Sequence, residues 1–414
     1  MTLPRFLSLF LAACVSLPAA SADAAWLASW SASPQAVWSS GFILPANVPP
    51  RLHDQTVRQV ARLSVGGQRV RIVLSNAHGA TPLQIGAATV ALAAGGSAIV
   101  PDSLRAITFG GRSGATIAPG APLVSDPVAL SVPDLARLTV SIHVPQDTAI
   151  STFHWDGRET AWIAPGQQTG AGKIDATRSI TTTARLLLSS IEVEPTTAAQ
   201  AVAVLGDSIT DGAGASLGRD TRWPDVLAER LAPHGVAVIN AGISGARLLA
   251  DGMGSNALAR LERDVLGQPG VRTVIVLLGI NDISWPGTAF DRHGRRPTLE
   301  ELTAGYRQLT ALARSRGVRV IAATLTPFAG ALPGTPLADY YDAGKDELRQ
   351  RLNAWIRDSG GFDGVLDADA LLRDPSHPLR LLPAYDSGDH LHPGDAGNRA
   401  LAGAVDLRLM VEKR

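Results

Sequence analysis

From Ala201 onward, short and wholly apolar segments alternate with segments of helical character, and a polar loop rich in glycine follows the apolar segments. The first apolar segment, residues 201–205, runs directly into Gly-Asp-Ser-Ile-Thr-Asp-Gly at 206–212. A short apolar run bounded by Gly and Asp is typical of a strand covered on both faces, as in a parallel α/β sheet. Because ligands bind beyond the carboxyl ends of such strands, the pattern places Ser208 where a nucleophile belongs.

Three further polar loops follow candidate strands in the same half of the chain. They read Asn-Ala-Gly-Ile-Ser-Gly at 240–245, Gly-Ile-Asn-Asp at 279–282 and Asp-His-Leu-His-Pro at 389–393. The carboxyl ends of parallel strands meet at one edge of a sheet, so we expect all four loops to converge there.

The four motifs, in this order and at this spacing, resemble those of the SGNH or GDSL family of serine esterases and acylhydrolases. The resemblance covers roughly residues 200 to 410. More broadly, the chain resembles secreted bacterial two-domain GDSL esterases, in which an N-terminal extension precedes the hydrolase. It implies a flavodoxin-like three-layer domain with Ser208 as nucleophile, His392 as general base and Asp389 as the orienting carboxylate. It also implies an oxyanion hole made by the N–H groups of Ser208 and Gly245 and the side-chain amide of Asn281.

Ester hydrolysis requires these residue types on chemical grounds as well. A serine hydroxyl is a poor nucleophile until a base removes its proton, and histidine titrates nearest to neutral pH. Asp389 stands three residues before His392, which is a suitable spacing for fixing the imidazole tautomer. Each preorganised donor at the oxyanion contributes roughly 3 to 4 kcal/mol to the transition state. The reaction needs no cofactor.

Each candidate also has a structural interpretation. Ser208 is a typical turn serine at a helix start, and His392 also suits the residue before a helix that Asp395 caps and that runs to residue 410. Asp386 is an alternative orienting acid. His390 lies too close to Asp389 for the triad spacing, so we interpret it as structural or substrate-facing.

Other polar residues of these loops are better explained by turn chemistry. We expect Asp207, Asp211 and Asp282 to hold their turns through hydrogen bonds from side chain to backbone. Gly-Ala-Ser-Leu-Gly at 214–218 matches the nucleophile-elbow pattern of α/β-hydrolases. We reject Ser216 as nucleophile, because no strand precedes it.

Composition bounds the remaining possibilities. A chain of 414 residues with 45% hydrophobic content is long enough for two domains. The formal net charge is zero, which gives no reason to expect nucleic acid or an anionic membrane as partner. No Cys and His set has metal-ligand spacing, and no phosphate-binding glycine loop is present, so we predict neither a metal nor a cofactor.

The first 24 residues have the outline of an export signal. Arg5 is followed by an apolar core and then by Ala-Asp-Ala at 22–24, a small-residue cleavage site. The apolar core is too short to leave a membrane span in the mature chain. We therefore predict an exported protein, periplasmic or extracellular, with a lipid anchor on Cys14 as the alternative, because residues 11–14 resemble a lipobox.

Residues 25–196 have the pattern of an all-β domain of the sandwich or jelly-roll type. Two alternating segments around Gly66-Gly67 predict a hairpin, and similar short runs recur up to residue 193. Trp155 and Trp162 flank Arg158 in a composition that suits stacking on a sugar ring, although aromatic core packing explains it equally well.

Residues 197–414 are predicted to form the α/β domain. Helices are expected at 223–231, 298–316 and 337–358, with further strands at 318–324 and 364–367. Thr298 and Glu301 form a capping-box pattern at the second helix.

These observations lead to an expected function. We predict an exported serine ester hydrolase that removes small acyl groups through an acyl-enzyme, with an acylated carbohydrate as the leading substrate. Aryl or short-chain alkyl esters are the alternative, and long-chain lipids come last because no long apolar lid segment is present. A carbohydrate-binding or adhesion module on an inactive hydrolase scaffold is the competing class.

Overall fold

A computed structural model describes residues 26–197 and 199–411. The predicted export signal and Cys14 lie outside the described residues. Antiparallel strands make up the part before residue 195, and parallel strands alternating with helices make up the part after it. The last antiparallel strand ends at Glu194 and the first parallel strand begins at Gln200, on either side of the predicted boundary.

The N-terminal region contains nineteen strands among the described residues, many of them short. They are β1 (Leu27–Ser31), β2 (Gln35–Ala36), β3 (Arg51–Leu52), β4 (Gln55–Arg62), β5 (Gly67–Ser75), β6 (Leu83–Ile85), β7 (Ala87–Gly95), β8 (Ala98–Ile99), β9 (Arg105–Ile107), β10 (Ala115–Ile117), β11 (Pro122–Val124), β12 (Val128–Val132), β13 (Arg137–Val144), β14 (Thr148–Ala149), β15 (Thr152–His154), β16 (Ala161–Pro165), β17 (Ile180–Thr182), β18 (Arg185–Leu186) and β19 (Leu188–Glu194).

Two larger antiparallel sheets organise this region. One has the order β1-β19-β5-β11, with β12 also on β5, and the other has the order β17-β16-β4-β13-β7-β8, with β9 also on β7. Strand β12 shows the expected alternation, because Val128, Leu130 and Val132 are buried while the residues between them are exposed. The N-terminal region is therefore β-rich, as the sequence predicts.

The hairpin predicted around Gly66-Gly67 is wrong. Strands β4 and β5 flank these glycines but belong to different sheets and do not pair with each other. A side chain at Gly66 would collide with the backbone at Val132, and one at Gly67 with the backbone at Glu194. The glycines are present because two backbones approach closely there, not because of a two-residue turn.

The C-terminal domain is built on a five-stranded parallel sheet. Its strands are β20 (Gln200–Gly206), β21 (Val236–Gly242), β22 (Val271–Leu277), β23 (Arg319–Ala323) and β24 (Gly364–Leu366), in the order β21-β20-β22-β23-β24. Central strand β20 pairs in parallel with both β21 and β22. Reversal of the strand order beside β20 is the topology that places a ligand site at its carboxyl end.

Eight α-helices accompany the parallel sheet within the described residues. They are α1 (Ser208–Asp211), α2 (Trp223–Leu231), α3 (Ala257–Leu261), α4 (Ile280–Ser284), α5 (Leu299–Ser315), α6 (Ala343–Asp358), α7 (Ala368–Leu372) and α8 (Asp395–Ala404). None of the helices in residues 26–197 and 199–411 combines the length and apolar character needed to cross a membrane.

Helix boundaries follow local capping. The predicted helix at 223–231 and the capping box of Thr298 with Glu301 are confirmed. The helix predicted from residue 337 begins only at Ala343, because the carboxylate of Asp342 accepts a hydrogen bond from the N–H of Lys345 and caps it there. The final helix ends at Ala404 rather than at residue 410, and Gly394 rather than Asp395 is its N-cap.

The N-terminal region packs along edge strand β21 of the parallel sheet. Strand β1 lies beside β21, and the hydroxyl of Ser31 donates to the carbonyl of Asn240 at 3.1 Å. The hydroxyl of Ser64 donates to the carbonyl of Val238 at 2.6 Å. Val238 and Asn240 are two positions apart on the strand, so their carbonyls face the same side.

Candidate active site

Ser208 begins a single helical turn directly after central strand β20. Asp207 precedes that turn and accepts a hydrogen bond from the N–H of Ile209 at 3.0 Å. Gly212 closes the turn with a φ of +114°, a backbone conformation that favours glycine. The sequence therefore makes a sharp strand-to-helix turn that presents Ser208 at the edge of the sheet.

The structure brings Ser208, His392 and Asp389 into one hydrogen-bonded chain. Nε2 of His392 lies 2.8 Å from Oγ of Ser208, and Nδ1 of His392 lies 2.6 Å from Oδ2 of Asp389. Because a carboxylate can only accept, it holds the proton on Nδ1 and leaves Nε2 free to accept the proton of the serine hydroxyl. Residues 184 apart in sequence are thus arranged for proton transfer from Ser208.

Asp389 is held as an anion in this arrangement. Its Oδ1 accepts hydrogen bonds from the N–H groups of Leu391 and His392. Burial alone would raise the pKa of Asp389, but the hydrogen bonds and charge of His392 outweigh burial and hold this pKa well below its usual range. A negative carboxylate in this position can stabilise a positive charge on the neighbouring imidazole.

The alternative acid, Asp386, is engaged elsewhere in the same loop. Its carboxylate accepts from the N–H groups of Gly388 and His390 and lies 2.5 Å from Nδ1 of His390. Asp386 therefore pairs with the neighbouring imidazole and leaves His392 to Asp389.

Two backbone N–H groups near Ser208 have no protein acceptor among the described residues. One belongs to Ser208 itself, because the first N–H groups of a helix have no partner within it. The other belongs to Gly245, which follows β21 and has a φ of +71°. These are the two backbone donors that the family resemblance implies for an oxyanion hole.

The side-chain amide of Asn281 is the third implied donor, and its orientation is fixed. Its Nδ2 donates to the carbonyl of Ala246 at 3.0 Å, and its Oδ1 accepts from the hydroxyl of Tyr340 at 2.7 Å. An amide nitrogen carries two protons, so one remains for a ligand. The contact with Ala246 brings Asn281 to the loop of Gly245.

Tyr340 is a residue of the site that sequence reasoning missed. It is 1% exposed, and burial raises its pKa well above the usual range, so its hydroxyl remains protonated and able to donate. It stands in a stretch without regular structure just before α6, and no sequence pattern marked it.

Three buried aspartates hold the loops around Ser208. Asp282 accepts from the N–H groups of Leu248 and Leu249, and Asp211 accepts from the N–H and hydroxyl of Ser244. Burial raises the pKa of Asp207 to about 7 and that of Asp282 to about 6. The contacts agree with the turn-holding roles expected from the sequence.

The two tryptophans proposed for substrate binding lie in different surroundings. Trp162 is 6% exposed and packs with Val60, Ala164 and Ile174 in a small core of the N-terminal region. The structure does not bring it to Ser208, because it belongs to the aromatic core packing weighed as the alternative. Trp155 is partly buried, and its indole N–H donates to the carbonyl of Pro45.

Trp155 is the first member of a continuous series of aromatic rings, which we call the aromatic row. Its members are Trp155, Trp38, Phe42, Phe290 and Trp285, with successive ring centroids separated by 5.6, 4.9, 5.6 and 4.4 Å. The row ends beside Gly245, where an added Cβ would lie 2.7 Å from the ring of Trp285. It therefore connects the N-terminal region to the loop that carries the free N–H of Gly245.

Ser216, the serine of the nucleophile-elbow pattern at 214–218, has a structural role. Its N–H and hydroxyl both donate to Asp395, at 2.9 and 2.7 Å, and the hydroxyl of Thr221 donates to the same carboxylate. Asp395 thus ties the loop after α1 to the start of α8 instead of capping that helix.

The described part of the chain holds no group of three or more His, Cys, Asp or Glu side chains suited to a metal ion. The acidic residues around Ser208 are each bound by groups of the protein, as with Asp389 by His392 and Asp386 by His390.

The carboxyl edge of the parallel sheet carries a serine, a histidine and an aspartate that are linked by hydrogen bonds. This is the architecture of the serine hydrolases. Comparison with known families gives a narrower assignment. Residues 204–400 match the GDSL-like Lipase/Acylhydrolase family, and the chain therefore carries a domain of that family over just under half its length. This family acts on esters, as the motifs predicted.

Solved structures of similar proteins align with about half of this chain. The aryl esterase of M. smegmatis is 19% identical, with 49% of this chain and 95% of that one covered and a TM-score of 0.39. The acetyl xylan esterase AlAXEase is 23% identical, with 49% and 96% covered and a TM-score of 0.37. A GDSL-like lipase from Bacteroides thetaiotaomicron is 19% identical, with 50% and 85% covered and a TM-score of 0.36. No curated protein matches the chain.

Proposed function

We propose that this protein is an exported serine ester hydrolase that removes small acyl groups through an acyl-enzyme. Ser208 is the nucleophile, His392 the general base and acid, and Asp389 the carboxylate that orients His392. The single observation that carries the proposal is the contact of 2.8 Å between Nε2 of His392 and Oγ of Ser208, backed by Asp389 at 2.6 Å.

The reaction follows from this geometry. Oγ of Ser208 gives its proton to Nε2 of His392 and bonds to the ester carbonyl carbon, which moves negative charge to the carbonyl oxygen. The N–H groups of Ser208 and Gly245 and the free amide proton of Asn281 stabilise that oxygen. His392 then protonates the departing alcohol, and a water molecule activated by His392 releases the acid from Ser208.

A serine-to-alanine comparison tests the proposal. We expect Ser208→Ala to abolish hydrolysis of p-nitrophenyl acetate above the buffer rate, because Ser208 is the only described residue whose hydroxyl contacts Nε2 of His392. Ser216→Ala is the matched control, since Ser216 belongs to a competing pattern but is bound to Asp395. Equal loss in both variants, or none in Ser208→Ala, contradicts the assignment.

For the substrate, we propose an acylated carbohydrate whose sugar contacts the aromatic row. Sugar rings stack on the flat faces of aromatic side chains, which combine a large apolar surface with a polar edge. Trp155, Trp38, Phe42 and Phe290 are only partly buried, and the row reaches Gly245 beside the proposed oxyanion hole. Aryl esters are the second candidate, because an aromatic leaving group fits the same surface.

A substrate panel distinguishes these candidates. Acetylated polysaccharides and p-nitrophenyl esters of increasing chain length are compared between the parent and Phe42→Ala and Trp155→Ala. If the row binds sugar, we expect KM for the polysaccharide to rise while p-nitrophenyl acetate is hydrolysed as before. Trp162→Phe is the matched control, because Trp162 packs in a separate core. Unchanged KM values in all variants contradict a sugar-binding row.

The competing class is a carbohydrate-binding or adhesion module on an inactive hydrolase scaffold. The contact between His392 and Ser208 argues against it, because a binding module has no need for a base next to a serine. Polysaccharide binding by a parent protein that hydrolyses no ester above the buffer rate supports the binding module and contradicts the enzyme.

We further propose the finer architecture expected from the sequence, with a sandwich at residues 25–196 and a flavodoxin-like three-layer domain at 197–414. Residues of both large N-terminal sheets belong to one buried core, among them Ile72 of β5 and Val140 of β13. The five-stranded parallel sheet and the helices that accompany it support the proposed three-layer order.

Export is proposed from the sequence of the first 24 residues alone. Cleavage after Ala24 gives a mature chain that begins at Ala25, whereas a lipoprotein begins at a lipid-modified Cys14. Mass spectrometry of the protein recovered from cell fractions separates the two, and Cys14→Ser leaves fractionation unchanged only in the first case. An intact N-terminus in the cytoplasm contradicts export.

A further inference from the structure

One buried histidine of the N-terminal region reaches the helix that carries the proposed nucleophile. His154 is the last residue of β15 and is 4% exposed. Its Nε2 lies 2.9 Å from Oδ1 of Asp211, which ends α1 and is 1% exposed. The contact joins the two halves of the chain three residues after Ser208.

The second oxygen of Asp211 holds the loop of the proposed oxyanion hole. Oδ2 accepts from the N–H of Ser244 at 2.8 Å and from its hydroxyl at 2.7 Å. Ser244 directly precedes Gly245, whose N–H has no protein acceptor among the described residues. The carboxylate of Asp211 therefore contacts His154 of the N-terminal region through one oxygen and Ser244 of the Gly245 loop through the other.

The surroundings of His154 fix the orientation of its ring. Nδ1 lies 3.2 Å from the carbonyl of Ser33, while Nε2 faces the carboxylate of Asp211. Both ring nitrogens of His154 therefore face oxygen atoms of the protein. Burial alone would raise the pKa of Asp211, but the charge of His154 and the hydrogen bonds from His154 and Ser244 outweigh it and lower this pKa.

A second contact from the N-terminal region supports the same loop. The side-chain amide of Gln35 donates to the carbonyl of Met253 at 2.9 Å and accepts from the N–H of Trp155 at 2.8 Å. The side chain of Met253 packs on Gly245, where an added Cβ would lie 2.6 Å from its sulfur. Gln35, which contacts the residue after His154, thus supports the Gly245 loop through Met253.

We propose that His154 is a positioning residue for ester hydrolysis, which through Asp211 and Ser244 holds the N–H of Gly245 where the oxyanion forms. The inference rests on the proposed function, since it needs an oxyanion to stabilise. It assigns the N-terminal region a part in the catalytic step, because the hydrolase domain alone lacks this imidazole.

The expected effect is on turnover rather than on substrate binding. Loss of one oxyanion donor lowers kcat by about 10²- to 10³-fold, and a displacement of about 1 Å costs up to 10²-fold. Removal of His154 displaces Gly245 without deleting a donor, so we expect kcat to fall roughly 10- to 100-fold. KM is expected to stay within about 2-fold, because the uncharged ester carbonyl gains little from these donors.

The test compares His154→Leu and His154→Gln with the parent on p-nitrophenyl acetate. Leucine removes both ring nitrogens at similar size, whereas glutamine keeps one N–H donor within reach of Asp211. We expect a large loss of kcat in His154→Leu and partial recovery in His154→Gln. Affinity for a trifluoromethyl ketone, which forms the tetrahedral oxyanion on Ser208, should fall by the same factor as kcat.

His143→Gln is the matched control. His143 is also buried, and its Nε2 also lies 2.9 Å from an aspartate, Asp54, but both residues belong to the N-terminal region. We expect kcat and ketone affinity close to those of the parent. Circular dichroism and the thermal midpoint check folding, and if His154→Leu does not fold, His154→Gln alone carries the test through the ratio of kcat to ketone affinity.

The outcomes separate the two proposals. A folded His154→Gln or His154→Leu with parental kcat and ketone affinity, in a parent whose hydrolysis depends on Ser208, overturns the inference alone. A rise in KM with unchanged kcat overturns the inference as well. So does a fall in kcat in His143→Gln that equals the fall in the His154 variants. A parent without hydrolysis that depends on Ser208 overturns the proposed function and the inference with it.

Discussion

The carboxylate of Asp386 lies 2.5 Å from Nδ1 of His390, four residues further along the chain. The loop from 386 to 392 therefore carries two acid-imidazole pairs, and only the pair of Asp389 with His392 reaches Ser208. His390 adopts a φ of +61°, and its side chain is 49% exposed. Two neighbouring pairs of the same chemistry allow the role of each to be tested separately.

Asp389→Asn should lower kcat for p-nitrophenyl acetate by roughly 10³- to 10⁴-fold. An amide next to Nδ1 no longer enforces the tautomer that leaves Nε2 free for Ser208, nor does it stabilise the imidazolium. Asp386→Asn is the control and should stay within a few-fold of the parent. The reverse ranking in steady-state kinetics rules out Asp389 as the orienting acid.

Tyr340→Phe should lower kcat about 10-fold with little change in KM, because the amide of Asn281 loses the donor that fixes its Oδ1. Asn281→Ala, which removes the proposed oxyanion donor itself, should lower kcat about 10²- to 10³-fold. The double variant should resemble Asn281→Ala, since the hydroxyl of Tyr340 acts through that amide. Additive losses in the double variant indicate that Tyr340 acts by another route.

Gly245→Ala should impair both turnover and stability. The φ of +71° is strained for alanine, and the new Cβ would lie 2.6 Å from the sulfur of Met253 and 2.7 Å from the ring of Trp285. We expect about 1 to 3 kcal/mol of destabilisation in urea unfolding and a loss in kcat of about 10²-fold. Gly403→Ala, where the added Cβ meets nothing within 4 Å, is the control and should stabilise α8 slightly.

Asp207 should make stability decline as the pH rises toward neutrality. Burial raises its pKa in the folded protein from 3.8 to about 7, so its stabilising contribution is complete below pH 4 and is lost as the pH rises through 7. Asp207→Asn keeps an acceptor for the N–H of Ile209 but cannot titrate. Relative to this variant, we expect the parent to lose at most about 4 kcal/mol of unfolding free energy between pH 4 and 8.

Urea unfolding of both proteins at several pH values measures this difference. Asp282, whose pKa burial raises to about 6, is present in both proteins, so the comparison removes most of its contribution. A difference that does not change with pH contradicts the titration of Asp207 in this range.

Three of the four motifs were predictable because each lies at the carboxyl end of a short, buried strand, β20, β21 or β22. The motif at residues 389–393 does not follow a strand as expected, because it lies in the segment between α7 and α8. The apolar run before Gly206 marks both the strand and its end, so the location of Ser208 is a local property of the chain. Capping made α5 predictable in the same way, through Thr298 and Glu301. These features depend on residues a few positions apart.

Contacts between distant segments could not be predicted from such patterns. Gly66-Gly67 has the composition of a hairpin turn, but the backbones it must pass belong to segments more than 60 residues away. Trp155 and Trp162 look alike in sequence, yet one joins the aromatic row and the other a separate core. Tyr340 has no local feature that predicts its contact with Asn281, because that contact exists only in the folded chain.

The two serine hydroxyls on the carbonyls of Val238 and Asn240 occupy the outer side of the terminal strand of the parallel sheet. A truncated protein that starts near residue 197 lacks both serines and the strand beside them, and it leaves a row of unpaired peptide groups open to solvent. Such a row is a template on which a second copy can pair. A free-standing hydrolase fragment should therefore self-associate more than the intact chain in light scattering, and we expect the β-rich half to protect this edge from aggregation.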